Sequence, residues 1–133
     1  MAKILLAEDD DAVREFVRRA LSYRGHQITA VDDGTGALEA LAEEPFDLLL
    51  TDIVMPGMDG IALALKVTKD LPDLPILLMT GYAAEHQRAH NLEALIHRVI
   101  SKPFTLKQIS EAVADALATA DAAAPRRTKP PAR

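Results

Sequence analysis

The sequence has no cysteine, few aromatic residues and no long apolar run. Among its 133 residues there is no Cys and no Trp, with two Tyr and three Phe. Without cysteine, neither a disulfide framework nor a thiolate metal site is available. No stretch approaches the roughly 20 apolar residues that cross a bilayer, and the first apolar run, residues 4–7, lacks the length of a signal peptide. We therefore expect a cytoplasmic protein without membrane insertion.

Charge is distributed unevenly along the chain. Residues 1–119 contain 19 acids and 11 bases, whereas residues 120–133 contain one acid and four bases. An acidic body argues against nucleic acid as a partner. We predict a folded domain at residues 1–119 and a disordered basic Ala/Pro-rich tail at residues 120–133, because the three prolines of the tail oppose regular structure. The tail is either a solvated end or a docking or recognition segment.

Five short apolar runs alternate with helical patterns. The runs are residues 4–7, 28–31, 48–51, 76–79 and 99–101. Most are almost purely apolar, which suits parallel strands covered on both faces. The second run is more polar, as expected of an edge strand.

The segments between the runs have helical periodicity. One helical face is formed by Val13, Phe16, Val17, Ala20 and Leu21. Shorter helical patterns include Ala37 with Leu41 and Ile61 with Leu65, and a weaker pattern covers residues 83–95. The last helix begins with a capping box formed by Thr105 and Gln108. Strands that alternate with helices predict an α/β fold, a doubly wound five-stranded parallel sheet of the flavodoxin-like type with strand order 2-1-3-4-5.

Polar side chains terminate four of the predicted strands. In doubly wound sheets the site lies at the carboxyl ends of the strands. The residues found there are Glu8, Asp9 and Asp10 after the first strand, Asp52 after the third, Thr80 after the fourth and Lys102 after the fifth. Acids from two strands repel unless a cation lies among them, and hard oxygen ligands suit Mg²⁺. Together with a lysine and a hydroxyl, they predict a phosphoryl-transfer site with a carboxylate nucleophile.

Four sequence blocks resemble those of response-regulator receiver domains of two-component systems. They are ILLAEDD at 4–10, LTDIVMPGMDG at 50–60, MTG at 79–81 and SKPF at 101–104, and the resemblance spans about residues 2–119. It implies that Asp52 is the phosphoacceptor of this phosphoprotein. It also implies a Mg²⁺ site in which Asp9 and Asp52 are ligands, Glu8 acts through water, and the backbone carbonyl of Val54 is a further ligand.

The same resemblance assigns roles at the other strand ends. Lys102 matches the lysine that pairs with phosphoryl oxygens, and Thr80 matches the switch hydroxyl. Pro103 matches a proline whose bond to the preceding lysine is cis in this family. Val99 departs from the family, which often has a switch Tyr or Phe there. Tyr82 either takes part of that switch role or shields the pocket.

The resemblance also implies partners. A histidine kinase or histidine phosphotransfer protein would donate the phosphoryl group in phosphorelay signal transduction. A narrower resemblance, carried by residues 44–56, 80–84 and 101–104, is to CpdR-type single-domain regulators of alphaproteobacteria. These control degradation by the ClpXP protease and act mainly when unphosphorylated, which implies a protease or its adaptor as the output target. Only 14 residues follow Thr119, so we expect no output domain and a signal passed by protein–protein interaction. We also expect a monomer.

Three other functions are compatible with parts of this pattern. The alternative within the same class is an intermediate phosphate shuttle or sink in a phosphorelay. An Asp-nucleophile phosphatase needs a general acid two residues after the nucleophile, where this chain has Val54. A flavin-binding electron carrier needs a hydroxyl-rich phosphate loop after the first strand, where this chain has four acids. We therefore expect a signalling protein and not an enzyme.

Overall fold

The computed structural model describes residues 1–81 and 98–123. Within these ranges five strands and four helices follow one another along the chain. They are β1 (Lys3–Ala7), α1 (Asp11–Tyr23), β2 (Gln27–Val31), α2 (Gly34–Glu43), β3 (Leu48–Asp52), α3 (Gly60–Asp70), β4 (Ile76–Thr80), β5 (Arg98–Ser101) and α4 (Leu106–Ala123). The helix predicted over 83–95, Tyr82 and residues 124–133 lie outside the described residues.

The five strands form one parallel sheet in the order β2-β1-β3-β4-β5. This order confirms the predicted doubly wound α/β fold, and the more polar β2 is an edge strand as expected. Residue pairs across the sheet include Ala7 with Thr51 and Asp52 with Met79. All strands therefore end at the same edge, which we call the strand-end edge.

Two hydrophobic clusters cover the two faces of the sheet. Leu5, Leu49 and Leu78 point to the face covered by α2 and α3. Their neighbours Leu6 and Leu50 point to the face covered by α1 and α4. Because successive side chains of a strand point to opposite faces, a strand buried on both sides must be apolar at every position. This explains the continuous apolar runs in the sequence.

Local polar contacts fix where the helices begin. Asp10, Asp33 and Asp59 are the N-caps of α1, α2 and α3, and each side chain accepts a hydrogen bond from the backbone N–H three residues later. At the start of α4, the Gln108 N–H donates to the Thr105 hydroxyl at 3.0 Å, and the Thr105 N–H donates to the Gln108 side chain at 2.8 Å. The predicted capping box is confirmed.

The side chains of two residues that the helical patterns place on buried faces are partly exposed to solvent. Phe16 is 41% exposed and Leu65 is 38% exposed. The buried stripe of α3 contains Leu63, Ala64 and Val67, so Leu65 lies beyond the border of that stripe at 100° per residue. Phe16 lies at the border of the buried face of α1 in the same way.

Within the described ranges, no helix combines the length and apolar character required to span a bilayer.

Candidate functional site

Three carboxylates meet at the strand-end edge. Glu8 and Asp9 follow β1, and Asp52 is the last residue of β3. One carboxylate oxygen from each lies within 4.8 Å of the others. Glu8 is fully buried and Asp52 is 6% exposed, whereas Asp9 is exposed to solvent. The fold therefore brings acids that are 44 positions apart in the sequence to one point.

Lys102 provides the positive charge at this point. Its Nζ lies 2.9 Å from Oε1 of Glu8 and 3.0 Å from Oδ1 of Asp52. The backbone N–H of Lys102 donates to the carbonyl of Thr80 at 2.8 Å, which ties the end of β5 to the end of β4. The Lys102–Pro103 peptide bond is cis, as the sequence resemblance implied.

Burial and pairing act in opposite directions on the ionisable groups. Burial raises the pKa of the Glu8 and Asp52 carboxyl groups above their ordinary values, although Lys102 partly opposes this. Burial alone would lower the pKa of Lys102, but its hydrogen bonds to Glu8 and Asp52 outweigh burial and raise it. Lys102 is therefore held in its charged form between the two acids.

The charge balance of the cluster fits a divalent cation. Among residues 1–81 and 98–123, the three carboxylates of the cluster face one ammonium group, so two negative charges remain when all are ionised. Oxygen ligands from carboxylates with open positions beside them are those that Mg²⁺ prefers. The residues present therefore fit the metal that the sequence predicts.

The other predicted site residues have different positions. Val54 is 43% exposed and lines a cavity of about 810 Å³ together with the acids and Lys102. Thr80 is the last residue of β4 and is 2% exposed. Pro103 lines the cavity, whereas Val99 packs against the cluster below α2 and α3. Tyr82, the remaining candidate, is outside the described residues.

Several residues that contact the site had no clear signal in the sequence. Nη1 of Arg14 donates to the carbonyl of Glu8 at 2.8 Å, and the Thr51 hydroxyl donates to the carbonyl of Asp52 at 2.9 Å. The rings of Phe16 and Phe104 lie 6.4 Å apart between centroids and line the cavity. Signals for such contacts in the sequence are the polar Thr51 within an apolar strand and the position of Phe104 in the SKPF block.

A glycine turn holds the loop after β3 against Asp52. Gly57 has φ +76°, and the Gly60 N–H donates to the carbonyl of Ile53 at 2.7 Å. A Cβ atom on Gly60 would lie 2.1 Å from the backbone oxygen of Asp52. The backbone can therefore pass this close to Asp52 at the start of α3 only because residue 60 is a glycine without a side chain.

Comparison with known proteins places the chain in one family. The family model for the response regulator receiver domain matches residues 4–114. Response regulator receiver protein CpdR of Brucella abortus (strain 2308) is 49% identical over 109 residues, which are 82% of this chain and 91% of that protein. Response regulator protein FleR of Pseudomonas aeruginosa is 40% identical over 113 residues but is matched over only 24% of its length. The chain thus spans nearly all of CpdR and about a quarter of FleR.

Solved structures agree with this assignment. TrrA of Thermotoga maritima, a response regulator solved in complex with Mg²⁺ and BeF, has a TM-score of 0.80 and 29% identity, with 88% of this chain and 100% of that chain covered. A receiver domain protein from Clostridium thermocellum has a TM-score of 0.84 at 21% identity, with 92% and 99% covered, and shows the shared fold alone. With the family model and the CpdR match, these findings show that the chain belongs to the response regulator receiver domain family.

Proposed function

We propose that this receiver accepts a phosphoryl group on Asp52 from a histidine kinase or histidine phosphotransfer protein of a two-component phosphorelay. One observation carries this proposal. The nearly buried Asp52 carboxylate lies at a strand end, 3.0 Å from the ammonium group of Lys102 and beside two further acids. A cavity lined by Asp52, Val54 and Lys102 opens onto it and would give a phosphodonor access.

The reaction is a transfer between two nucleophiles. A carboxylate oxygen of Asp52 forms a bond to phosphorus while the P–N bond to the donor histidine breaks, and the imidazole keeps the electron pair and gains a proton. The product on Asp52 is an acyl phosphate. Lys102, charged and already within reach of Asp52, pairs with a phosphoryl oxygen, and the Thr80 hydroxyl is the proposed second donor.

Mg²⁺ is the proposed cofactor. Asp9, Asp52 and the backbone carbonyl of Val54 would hold it directly and Glu8 through water. When bound, the ion neutralises charge on the phosphoryl oxygens. Support comes from the two negative charges that Lys102 leaves unbalanced in the cluster.

The output of the receiver is proposed to be a protein interaction. Lys102 and Thr80 link the site to the ends of β4 and β5, so phosphorylation would act first on β5, on α4 and on the segment that precedes β5. The match to CpdR over 91% of that protein supports control of ClpXP proteolysis in the cytoplasm. Val54 lacks the proton-transferring group of a phosphatase, which supports signalling and not catalysis.

Labelling with acetyl phosphate tests the phosphoacceptor. With Mg²⁺ present, we expect intact-mass measurement to show one added phosphoryl group on the wild type and none on Asp52→Asn, because an amide is a far poorer nucleophile than a carboxylate. Asp32→Asn, at an exposed position outside the cluster, is the matched control and should keep full labelling. Full labelling of Asp52→Asn would disprove the assignment.

A binding measurement tests the proposed output. We expect purified ClpX to bind Asp52→Asn at least as strongly as the untreated wild type, and to bind the acetyl phosphate-treated wild type more weakly. Treated Asp52→Asn should bind like the untreated variant. Equal binding of treated and untreated wild type would remove ClpX as the phosphorylation-dependent target while leaving the phosphoacceptor assignment intact.

A further inference from the structure

A second groove lies at the edge of the sheet where the strands begin, away from Asp52. It has a volume of about 500 Å³ and lies between the end of α2, the segment before β3 and the segment after α3. Its walls include Leu41, Phe46, Leu71 and Leu74. Leu71 is 42% exposed, so the groove presents apolar surface to solvent.

The rim of this groove is acidic. Glu43, Glu44 and Asp73 line it, and among the described residues no basic one does so. Lys3 pairs with Glu44 and lies 5.5 Å above the ring of Phe46, which balances one of the three charges. Glu43 and Asp73 have no ion pair within residues 1–81 and 98–123. The groove therefore suits a ligand that is both apolar and positively charged.

We propose that this groove docks residues 124–133 of the same chain. That segment contains four basic residues, no acid and three prolines. Proline rings in an extended polyproline II segment pack into apolar grooves while flanking basic residues meet acidic groups. The match depends on the last residues of the segment. Pro130 and Pro131 complement the apolar walls, and Lys129 and Arg133 on either side of them complement the acidic rim.

The connection from α4 is long enough for this docking. α4 begins just after Lys102, at the strand-end edge, and packs on β4 and β5, so it ends at Ala123 near the edge where the strands begin. From there the segment must pass from the layer of α1 and α4 to the layer of α2 and α3. Two helix layers on either side of a sheet are about 20 Å apart. At about 3.1 Å per residue in a polyproline II conformation, the crossing would take about six of the ten residues and leave residues 130–133 for the groove, with Lys129 next to its rim.

Docking within one chain does not need high intrinsic affinity. A short tether provides an effective concentration on the order of 1 mM. A contact with an intrinsic Kd of about 1 mM would therefore be formed about half of the time. The docking is independent of the proposed chemistry at Asp52, since the groove and the phosphorylation site lie at opposite edges of the sheet.

A spin label in the segment tests the proposal in the full chain. The absence of cysteine makes Ala132→Cys the only attachment point for a nitroxide. We expect the label to broaden the backbone amide signals of Glu43, Leu71 and Leu74, and to leave those of Asp33 and Gly57 at the other edge unchanged. At about 1 M salt, where the Debye length falls to about 3 Å, the broadening should diminish.

Charge variants and mixed samples decide the outcome. The double variant Glu43→Gln with Asp73→Asn should lose most of the broadening, whereas Asp32→Asn should retain it. Broadening confined to the last turn of α4, or unchanged in the double variant, would overturn the proposal. A second sample mixes spin-labelled chains that lack ¹⁵N with ¹⁵N-labelled chains that lack the spin label. Broadening as strong as in the doubly labelled chain would identify a second copy as the occupant and overturn docking within one chain.

Discussion

Neighbouring acids at the end of β1 have different tasks. Glu8 and Asp9 belong to the carboxylate cluster, but Asp10 caps α1 and Asp11 pairs with Arg14. An acidic residue just before a helix commonly caps it, and Asp10 does so here. The distinction depends on which side chains point toward Lys102 and Asp52, which no local pattern specifies.

At the residue scale, Val54 is expected to set the lifetime of the phosphoryl group. Hydrolysis of an acyl phosphate needs a water held in line by a polar group, and the partly exposed Val54 side chain offers none. We expect Val54→Asn to speed the loss of label, where a tenfold gain corresponds to about 1.4 kcal/mol off the barrier. A time course of phosphorylated protein at fixed Mg²⁺ measures this.

Val54→Ala is the control, because it removes bulk without adding a hydrogen-bonding group. Equal rates for Val54→Asn and the wild type would show that Val54 only packs the loop. Acceleration by both variants would identify access of water, and not its orientation, as the limit.

His26 should make stability depend on pH. The Ala2 N–H donates to Nδ1 of His26 at 3.0 Å, which requires an unprotonated nitrogen, and burial lowers the pKa of His26. A lowered pKa gives stability that is present above the unfolded value of about 6.5 and is lost as pH falls toward and through the folded value. We expect urea midpoints between about pH 7 and 5 to fall further for the wild type than for His26→Asn.

The Asn variant keeps an acceptor near the position of Nδ1 but does not titrate there. The raised pKa values of Glu8 and Asp52 act in the opposite direction, and both proteins share them, so the difference between the two curves reports His26. Parallel curves would contradict the assignment.

At the element scale, the loop between β3 and α3 positions Asp52, the proposed phosphoacceptor. Its close return to Asp52 allows no Cβ at Gly60, and the nearest atoms are backbone atoms that cannot rotate away. We expect Gly60→Ala to lower the free energy of unfolding by about 1–3 kcal/mol, the usual cost of forced overpacking, and to slow labelling of Asp52. Chemical denaturation and labelling kinetics measure the two effects.

Gly81→Ala provides the comparison, because its Cβ would meet Lys102 Cβ at 3.7 Å, an ordinary contact. Its stability should stay near that of the wild type. If both variants unfold at the same denaturant concentration, close approach at Gly60 is not what fixes this loop.

At the scale of the whole molecule, binding of Mg²⁺ should stabilise the fold. A ligand that binds only the native state adds about 2.7 kcal/mol at 100 times its Kd. We therefore expect the melting temperature of the wild type to rise with Mg²⁺ concentration. Differential scanning calorimetry with and without Mg²⁺ checks this.

Asp9→Ala separates the ligand role from general charge effects. It removes one of the mutually repelling acids, so the metal-free melting temperature should rise while the response to Mg²⁺ shrinks. An undiminished response to Mg²⁺ in this variant would show that Asp9 is not a ligand.

The sequence by itself determined the architecture and the location of the site. Strands buried on both faces must be apolar throughout, so the five runs predicted a covered parallel sheet. Right-handed crossovers and the length of the chain then favoured the strand order 2-1-3-4-5. Because parallel strands end at one edge, the residues after those runs had to meet there. That is why the sequence alone predicts that Glu8, Asp9, Asp52 and Lys102 lie together in one site.

The tertiary structure alone decided contacts between residues that no periodicity relates. Lys102 pairs with both Glu8 and Asp52, and Arg14 donates a hydrogen bond to the Glu8 carbonyl. The ring of Phe16 contacts that of Phe104 and not the core. Tertiary packing also forms the acidic groove from the ends of two helices. Sequence patterns report the face on which a residue lies, whereas such contacts depend on how separate elements pack against one another.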